Sequence, residues 1–229
     1  MKGGLAIFVK TPAISPVKTR LASEVGQLRA EAFYLASAEA VASVALQSQA
    51  QGGAIAYWAV AEPLTKTGNA WVDLPRIPQG FGTLGERMDQ VYRLLQGRHR
   101  YSLLLGADTP QITASSLARA ATWLSAPEPR LVLGRSEDGG FWLFGGNTAL
   151  PRSAWCRPHY SSASTADEFV AAMSSFGDWL TLESLTDVDH GQDLPRVQRQ
   201  LEHLSEPTAA QRRLAQWLDD AMAPVAIRA

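Results

Sequence analysis

The chain's 229 residues carry 21 Lys and Arg against 22 Asp and Glu, a formal net charge of -1, and 46% of them are hydrophobic. That composition excludes a disordered chain and a binder that tracks nucleic acid with a basic stripe. Cys156 is the only cysteine, so no intramolecular disulfide can form, which suits a reducing compartment.

Residues 1–10 lack the long apolar stretch of a secretory signal, and no segment approaches the roughly 18 apolar residues of a membrane span. The expectations are a cytoplasmic protein, no membrane span and no nucleic-acid partner.

In chain order, residues 5–9 form an unbroken apolar run, which predicts a strand buried on both faces. A Pro-punctuated loop follows over 10–18. Residues 29–47, rich in Ala and free of Gly and Pro, predict a buried helix. A second strand is expected over 54–61, irregular chain over 62–71 and a short strand over 74–78. Leu84, Met88, Val91 and Leu95 recur at helical spacing within 83–95. Residues 101–105 predict another buried strand, and 113–124 a helix with Thr113 as its N-cap. Two strands, 130–135 and 141–144, flank the turn Glu137-Asp138-Gly139-Gly140. A helix over 166–176, a partly extended stretch over 179–188, and helices over 194–204 and 209–222 complete the chain. The residues after Pro224 are expected to fray.

This alternation predicts an α/β class protein: one domain over 1–229, built as a three-layer α/β/α sandwich on a mainly parallel, Rossmann-like sheet. In such a sheet ligands sit beyond the C-terminal strand ends, and four polar clusters fall there. Lys10-Thr-Pro-Ala-Ile-Ser-Pro-Val-Lys18-Thr-Arg20 offers cations and main-chain N–H groups to an anion, although the spacing of a P-loop is absent. Gln79-Gly80-Phe-Gly82-Thr-Leu-Gly85-Glu-Arg87 lets the backbone approach a flat ligand closely; the plainer reading is a turn capping a helix. Asp108 ends a buried strand, where a carboxylate suits a hard divalent cation or, equally, a turn. Asp187, Asp189 and Asp193 precede a helix. Asp193 is the best candidate for its cap, and Asp187 or Asp189 could meet Asp108 as a second metal ligand. Asp138 fits a hairpin turn, or a carboxylate that orients a hydroxyl or takes a proton.

In order, F-V-K-T-P…V-K-T-R-L-A, Q-G-F-G-T-L-G-E-R-M, L-L-L-G-A-D-T-P, E-D-G-G-F-W-L-F-G and L-T-D-V-D-H-G-Q-D-L resemble the CofC-like transferases. These are the radical-SAM/selenodomain-associated glycosyltransferase-like proteins of the glycosyltransferase-A, nucleotide-diphospho-sugar transferase superfamily. The resemblance runs from Leu5 to about Leu194. It implies the glycosyltransferase-A-like fold and a metal-dependent, nucleotide-using transferase. Lys18 and Arg20, with Lys10, would hold phosphates. Gln79, Gly80, Gly85 and Arg87 would lie near base or ribose. Asp108 and Asp189 would ligate Mg²⁺ or Mn²⁺, and Asp138 would face the acceptor, with Lys18 neutralising charge in catalysis. Ser15 and Pro16 stand where the family has Gly, Tyr160-Ser161 replaces its Trp-Ser pair, and the acidic residue between Asp189 and Asp193 is lost. The partners so implied are a nucleotide or nucleotide-sugar and a small-molecule acceptor of unspecified kind. Glycosyl transfer from an NDP-sugar is the leading expectation. Nucleotidyl transfer, a non-catalytic nucleotide-binding module and an interaction scaffold are the alternatives.

Overall fold

Leu5, Ala6, Ile7 and Val9 are each at most 2% exposed, so strand β1 (Gly4–Val9) is covered on both faces, as its apolar run requires. The computed structural model, which describes residues 2–222, places β1 centrally in the sheet. The segment after Pro224, expected to fray, lies outside the described residues. Strands β2 (Ile55–Val60) and β4 (Ser102–Gly106) pair with β1 in parallel on its two sides. Strand β3 (Arg76–Pro78) lies outside β2. Strands β5 (Arg130–Arg135), β6 (Phe141–Gly146) and β7 (Asp178–Thr181) lie outside β4, in the order β3-β2-β1-β4-β6-β5-β7. Only β6 runs antiparallel to its neighbours β4 and β5, so the sheet is mainly parallel.

Alternate residues of these strands feed two separate cores, as the period of two demands. On one face Leu5, Ile7, Leu103 and Leu105 meet Val41 and Val44 of α2 (Gln27–Ala50) and Leu117 and Leu124 of α4 (Ala114–Leu124). On the other, Ala6, Leu104 and Phe144 meet Val91 of α3 (Leu84–Gln96), Trp155 of α5 (Arg152–Cys156) and Phe169 of α6 (Thr165–Met173). Trp58, Trp142 and Trp155 are fully buried in these cores. Each such side chain stabilises the fold by roughly 1.5–3 kcal/mol.

Helix α2 has an exposed strip but is buried along two adjoining faces. Tyr34, Ala38 and Val41 face the sheet, while Phe33 and Ala40 face a third core with α1 (Thr19–Val25), α7 (Leu194–Glu202) and α8 (Ala209–Met222). Its Ala-rich sequence follows from that double coverage, because small residues let helices approach closely. Sequence patterns missed α1 and α5, which span seven and five residues and are too short for a periodic signal. Gly26, at φ 88°, separates α1 from α2. Thr113 does cap α4, accepting the N–H of Ser116 at 3.1 Å. At α3, Thr83 and Glu86 form a reciprocal capping box.

Candidate functional site

The chain runs from β1 outward to β2 and β3, then crosses back to β4, so strand order reverses between β1 and β4. Open α/β sheets bind ligands in the crevice at this point. Lys10 follows β1 directly, and Asp108 lies two residues beyond β4. Because β6 is antiparallel, the turn between β5 and β6 opens onto the same edge.

The loop after β1 folds on itself: the Thr11 carbonyl accepts the N–H groups of Ile14 and Ser15 at 3.1 and 3.0 Å. Positive φ falls at Ala13 (67°) and Lys18 (45°), and not at Ser15 or Pro16 where the resembled family has Gly. The left-handed backbone at Lys18 costs about 1 kcal/mol. It turns the side chain inward, where it is 7% exposed. Lys18 Nζ lies 2.8 Å from Asp108 Oδ2 and 3.3 Å from Asp189 Oδ1. Arg20 Nη1 lies 2.9 Å from Asp189 Oδ2. Thus four residues that the sequence marks separately share one ionic network. Burial disfavours the Lys18 ammonium, but Asp108, then Asp189 and Asp187, outweigh it and raise its pKa. Burial likewise works to raise the Asp108 carboxyl, but the Lys18 charge and hydrogen bond hold it below the usual range.

Two loops bring further carboxylates to this network. In the first, Val188 is fully buried, and the alternation of an extended chain puts Asp187 and Asp189 on its other side. Asp193 occupies the N-cap position of α7 but makes no side-chain cap bond there, contrary to expectation. Its Oδ2 instead accepts the N–H groups of Asp189 and His190 at 3.0 and 2.7 Å. The chain enters α7 through a 3-10 turn over Gly191–Asp193, which points the carboxylate back along the loop. Glu24 of α1 accepts the Gly191 N–H at 2.8 Å and lies 2.6 Å from His190 Nδ1, fastening the loop to the helix that begins after Lys18.

The second loop is the β5–β6 turn. Ser136 bridges to Leu185, and the Glu137 N–H donates to the Leu185 carbonyl at 3.1 Å. The Glu137 carboxylate is taken by Thr186 (2.8 Å) and Arg196 (2.9 Å), so it serves to hold the two loops together. Gly139, at φ 92°, could carry no side chain, since a Cβ would stand 2.0 Å from the Ala163 carbonyl oxygen. Asp138 accepts the Gly140 N–H at 2.8 Å, as the hairpin reading expects. It also stands at the site: Asp138, Asp187 and Asp189 each present a carboxylate oxygen within 4.8 Å of the others. Burial, and then the charges of Asp108 and Asp138, push the Asp187 carboxyl up to about 7. Three oxygen donors so clustered match the ligand preference of a hard divalent cation. Asp108 is not one of the three.

Lys18, Arg20, Asp108, Asp138, Asp187 and Asp189 line one cavity of about 950 Å³, together with Lys10 and Tyr34. The Tyr34 hydroxyl accepts the Lys10 N–H at 2.8 Å. Nothing local in the sequence marks Tyr34, which arrives from the middle of α2. Asp187 is legible from the Asp-x-Asp spacing.

The glycine-rich cluster behaves differently. Gln79 lines the cavity, but its Nε2 donates to the Val9 and Ala59 carbonyls at 3.1 and 2.8 Å, tying the ends of β1 and β2. Gly80, Gly85 and Arg87 do not line the cavity. At Gly80 (φ 79°) a Cβ would meet Gln90 Oε1 at 2.0 Å. At Gly85 it would meet the Trp155 carbonyl oxygen at 2.3 Å, so this glycine permits close approach of α3 to α5. Arg87 Nε donates to the Gly82 carbonyl at 3.0 Å, bracing the turn.

The fold is of the nucleotide-diphospho-sugar transferase-like α/β kind. A candidate nucleotide-diphospho-sugar transferase from Desulfovibrio desulfuricans G20 superposes with a TM-score of 0.81 at 23% identity, covering 96% of this chain and 97% of that one. The 4-diphosphocytidyl-2C-methyl-D-erythritol synthase of Anaerococcus prevotii DSM 20548 gives 0.52 at 6% identity, over 88% and 99%. A nucleotidyl transferase from Methanothermobacter thermautotrophicus gives 0.52 at 13% identity, also over 88% and 99%. Residues 32–162, more than half of the chain, match the family described as "Uncharacterized protein conserved in bacteria (DUF2064)", and the chain belongs to that family. No curated protein matches the sequence. Among the described residues no helix is long and apolar enough to cross a membrane.

Proposed function

We propose that the protein is a divalent-metal-dependent transferase, acting as one unit over 1–229, that moves a glycosyl group from an NDP-sugar to a small acceptor. One observation carries this reading: the buried Lys18 ammonium is shared by Asp108 and Asp189, with Arg20 on the second and Asp138 and Asp187 alongside, at the crevice where strand order reverses. Asp187 and Asp189 would hold Mg²⁺ or Mn²⁺, with Asp138 in reach as a third donor. When bound, such an ion supplies positive charge for diphosphate oxygens.

Lys18 and Arg20 bind and neutralise the diphosphate, aided by Lys10 at the cavity wall. Asp108 holds Lys18 in place. Asp138, the exposed member of the cluster, orients the acceptor hydroxyl. The acceptor oxygen attacks the anomeric carbon, the bond from that carbon to the diphosphate oxygen breaks, and its electron pair leaves with the nucleoside diphosphate. The acceptor proton passes to Asp138. Positioning and electrostatic stabilisation supply most of the rate.

Nucleotidyl transfer from an NTP needs the same clamp, and the names of the Anaerococcus and Methanothermobacter proteins refer to that chemistry. A thermal-shift panel of NDP-sugars and NTPs, with and without Mn²⁺, separates the two. Glycosyl transfer predicts a Mn²⁺-dependent rise with an NDP-sugar that exceeds the rise with any NTP. A shift with no product under any acceptor would make the protein a binding module, and no shift at all would remove the nucleotide reading.

A further inference from the structure

A smaller cavity of about 290 Å³ opens from the main one at the acidic cluster. The two share Asp108, Asp138, Asp187 and Asp189, so the annex begins where a group in transfer would sit. Its walls are more apolar than those of the main cavity. Phe8, Leu84, Met88, Phe141, Trp142 and Tyr160 converge on it from β1, α3, β6 and the loop before α6.

Most polar atoms of those walls are already bonded within the protein. Tyr160 Oη donates to the Trp155 carbonyl at 2.6 Å, and Trp142 Nε1 to the Glu183 carbonyl at 3.1 Å. Ser162 Oγ and Thr165 Oγ1 both donate to the His159 carbonyl, at 3.0 and 2.9 Å. A polyol reaching past the mouth aspartates would find few free partners on these walls, and each hydroxyl left unpaired there would cost about 1–3 kcal/mol. Moreover, no Lys, Arg or His lines the annex, while four aspartates ring its mouth. Lys18 and Arg20, already paired with Asp108 and Asp189, line the main cavity and not the annex, so an anionic group carried past the mouth would meet no counter-ion.

We infer that this annex is the acceptor site, and that it takes a neutral alcohol with a compact apolar body. One ring or a short branched chain fits within the pocket while the hydroxyl points out to Asp138. This rests on the transferase reading above for its place in the reaction, but its binding does not need a nucleotide. The chemistry selects against sugars and against phosphorylated acceptors.

The test titrates the full chain with benzyl alcohol, glucose and benzyl phosphate, with and without Mn²⁺ and nucleoside diphosphate, following Trp fluorescence and ligand-observed NMR. Without Mn²⁺, saturable binding of benzyl alcohol, with glucose and benzyl phosphate at least tenfold weaker, is expected. Ser136→Leu, which intrudes into the annex, should weaken benzyl alcohol by about tenfold or more. Met88→Ala, which enlarges it, should shift preference to a bulkier alcohol such as naphthylmethanol. An unchanged far-ultraviolet circular dichroism spectrum with a cooperative melt would show that these variants fold. Glucose or benzyl phosphate binding as well as benzyl alcohol would overturn the inference, as would benzyl alcohol binding that neither variant alters. If benzyl alcohol binds and no nucleotide does, the annex stands and the transferase reading falls. If nucleotides bind and benzyl alcohol does not, the transferase reading stands and the annex inference falls.

Discussion

Asp193 Oδ2 accepts the main-chain N–H of Asp189 at 3.0 Å, so a carboxylate four residues downstream holds the backbone from which Asp189 projects. The same oxygen takes the His190 N–H. Replacing Asp193 with Ala removes both bonds and should cost about 2 kcal/mol of stability. The loosened loop should also weaken Mn²⁺ binding about tenfold, as loss of an outer support does at metal sites. Calorimetric titration with Mn²⁺ checks this, and an unchanged affinity would separate Asp193 from the metal centre.

Lys18 combines a left-handed backbone with an ion pair, and two substitutions part those effects. Lys18→Ala and Lys18→Gly both strip the ammonium from Asp108. Only Gly relaxes the φ of 45°. Lys18→Gly should therefore be the more stable of the two by about 1 kcal/mol in urea unfolding. Both should lose the melting response to nucleotide. Equal stabilities would mean that the backbone at this position is not strained.

Asp138→Asn keeps an oxygen for the Gly140 N–H and so preserves the turn. It removes the proton acceptor. Turnover should fall by about 10²-fold or more, the usual contribution of a general base, while NDP-sugar affinity changes little. A fall in kcat/KM that comes wholly from KM would place Asp138 in binding instead.

Glu168 accepts the His159 N–H and, at its two oxygens, Ser164 Oγ and His159 Nδ1. The His159 N–H first, then these side chains, hold its carboxyl down at about 2. Because the folded value lies below the usual one, its contribution is fully present above about pH 4.5 and fades as pH falls toward 2. Glu168→Gln should be less stable than the parent at pH 6, and the gap should narrow steadily as pH falls to 2. Acid unfolding of both proteins followed by circular dichroism provides the comparison. The loop so held includes Ser161 and Ser162, which line both cavities.

Reading the chain locally is enough for its strands and their burial. The runs at 5–9 and 101–105 lack charged residues because both faces are covered, and the helix at 113–124 announces its start through Thr113. The polar clusters at 10–20, 108 and 187–193 are visible because they interrupt such runs at their C-terminal ends. Gly85 has a packing role that the sequence does not reveal. A glycine that admits a ligand and one that admits a neighbouring helix look alike in a sequence, and only the Trp155 carbonyl above it tells them apart. Gln79 lines the cavity, but its amide also binds two strand ends, a role the sequence does not show.

Hydrophobic period and strand-end position thus sufficed for an α/β chain with a charged edge, since both are properties of neighbouring residues. Which charges meet was decided by folding. Lys18 reaches Asp108 and Asp189 across 90 and 171 residues. Asp138 joins Asp187 and Asp189 only because an antiparallel β6 turns the 136–140 loop onto Leu185. Such pairings depend on sheet order and loop register, which no window of sequence encodes.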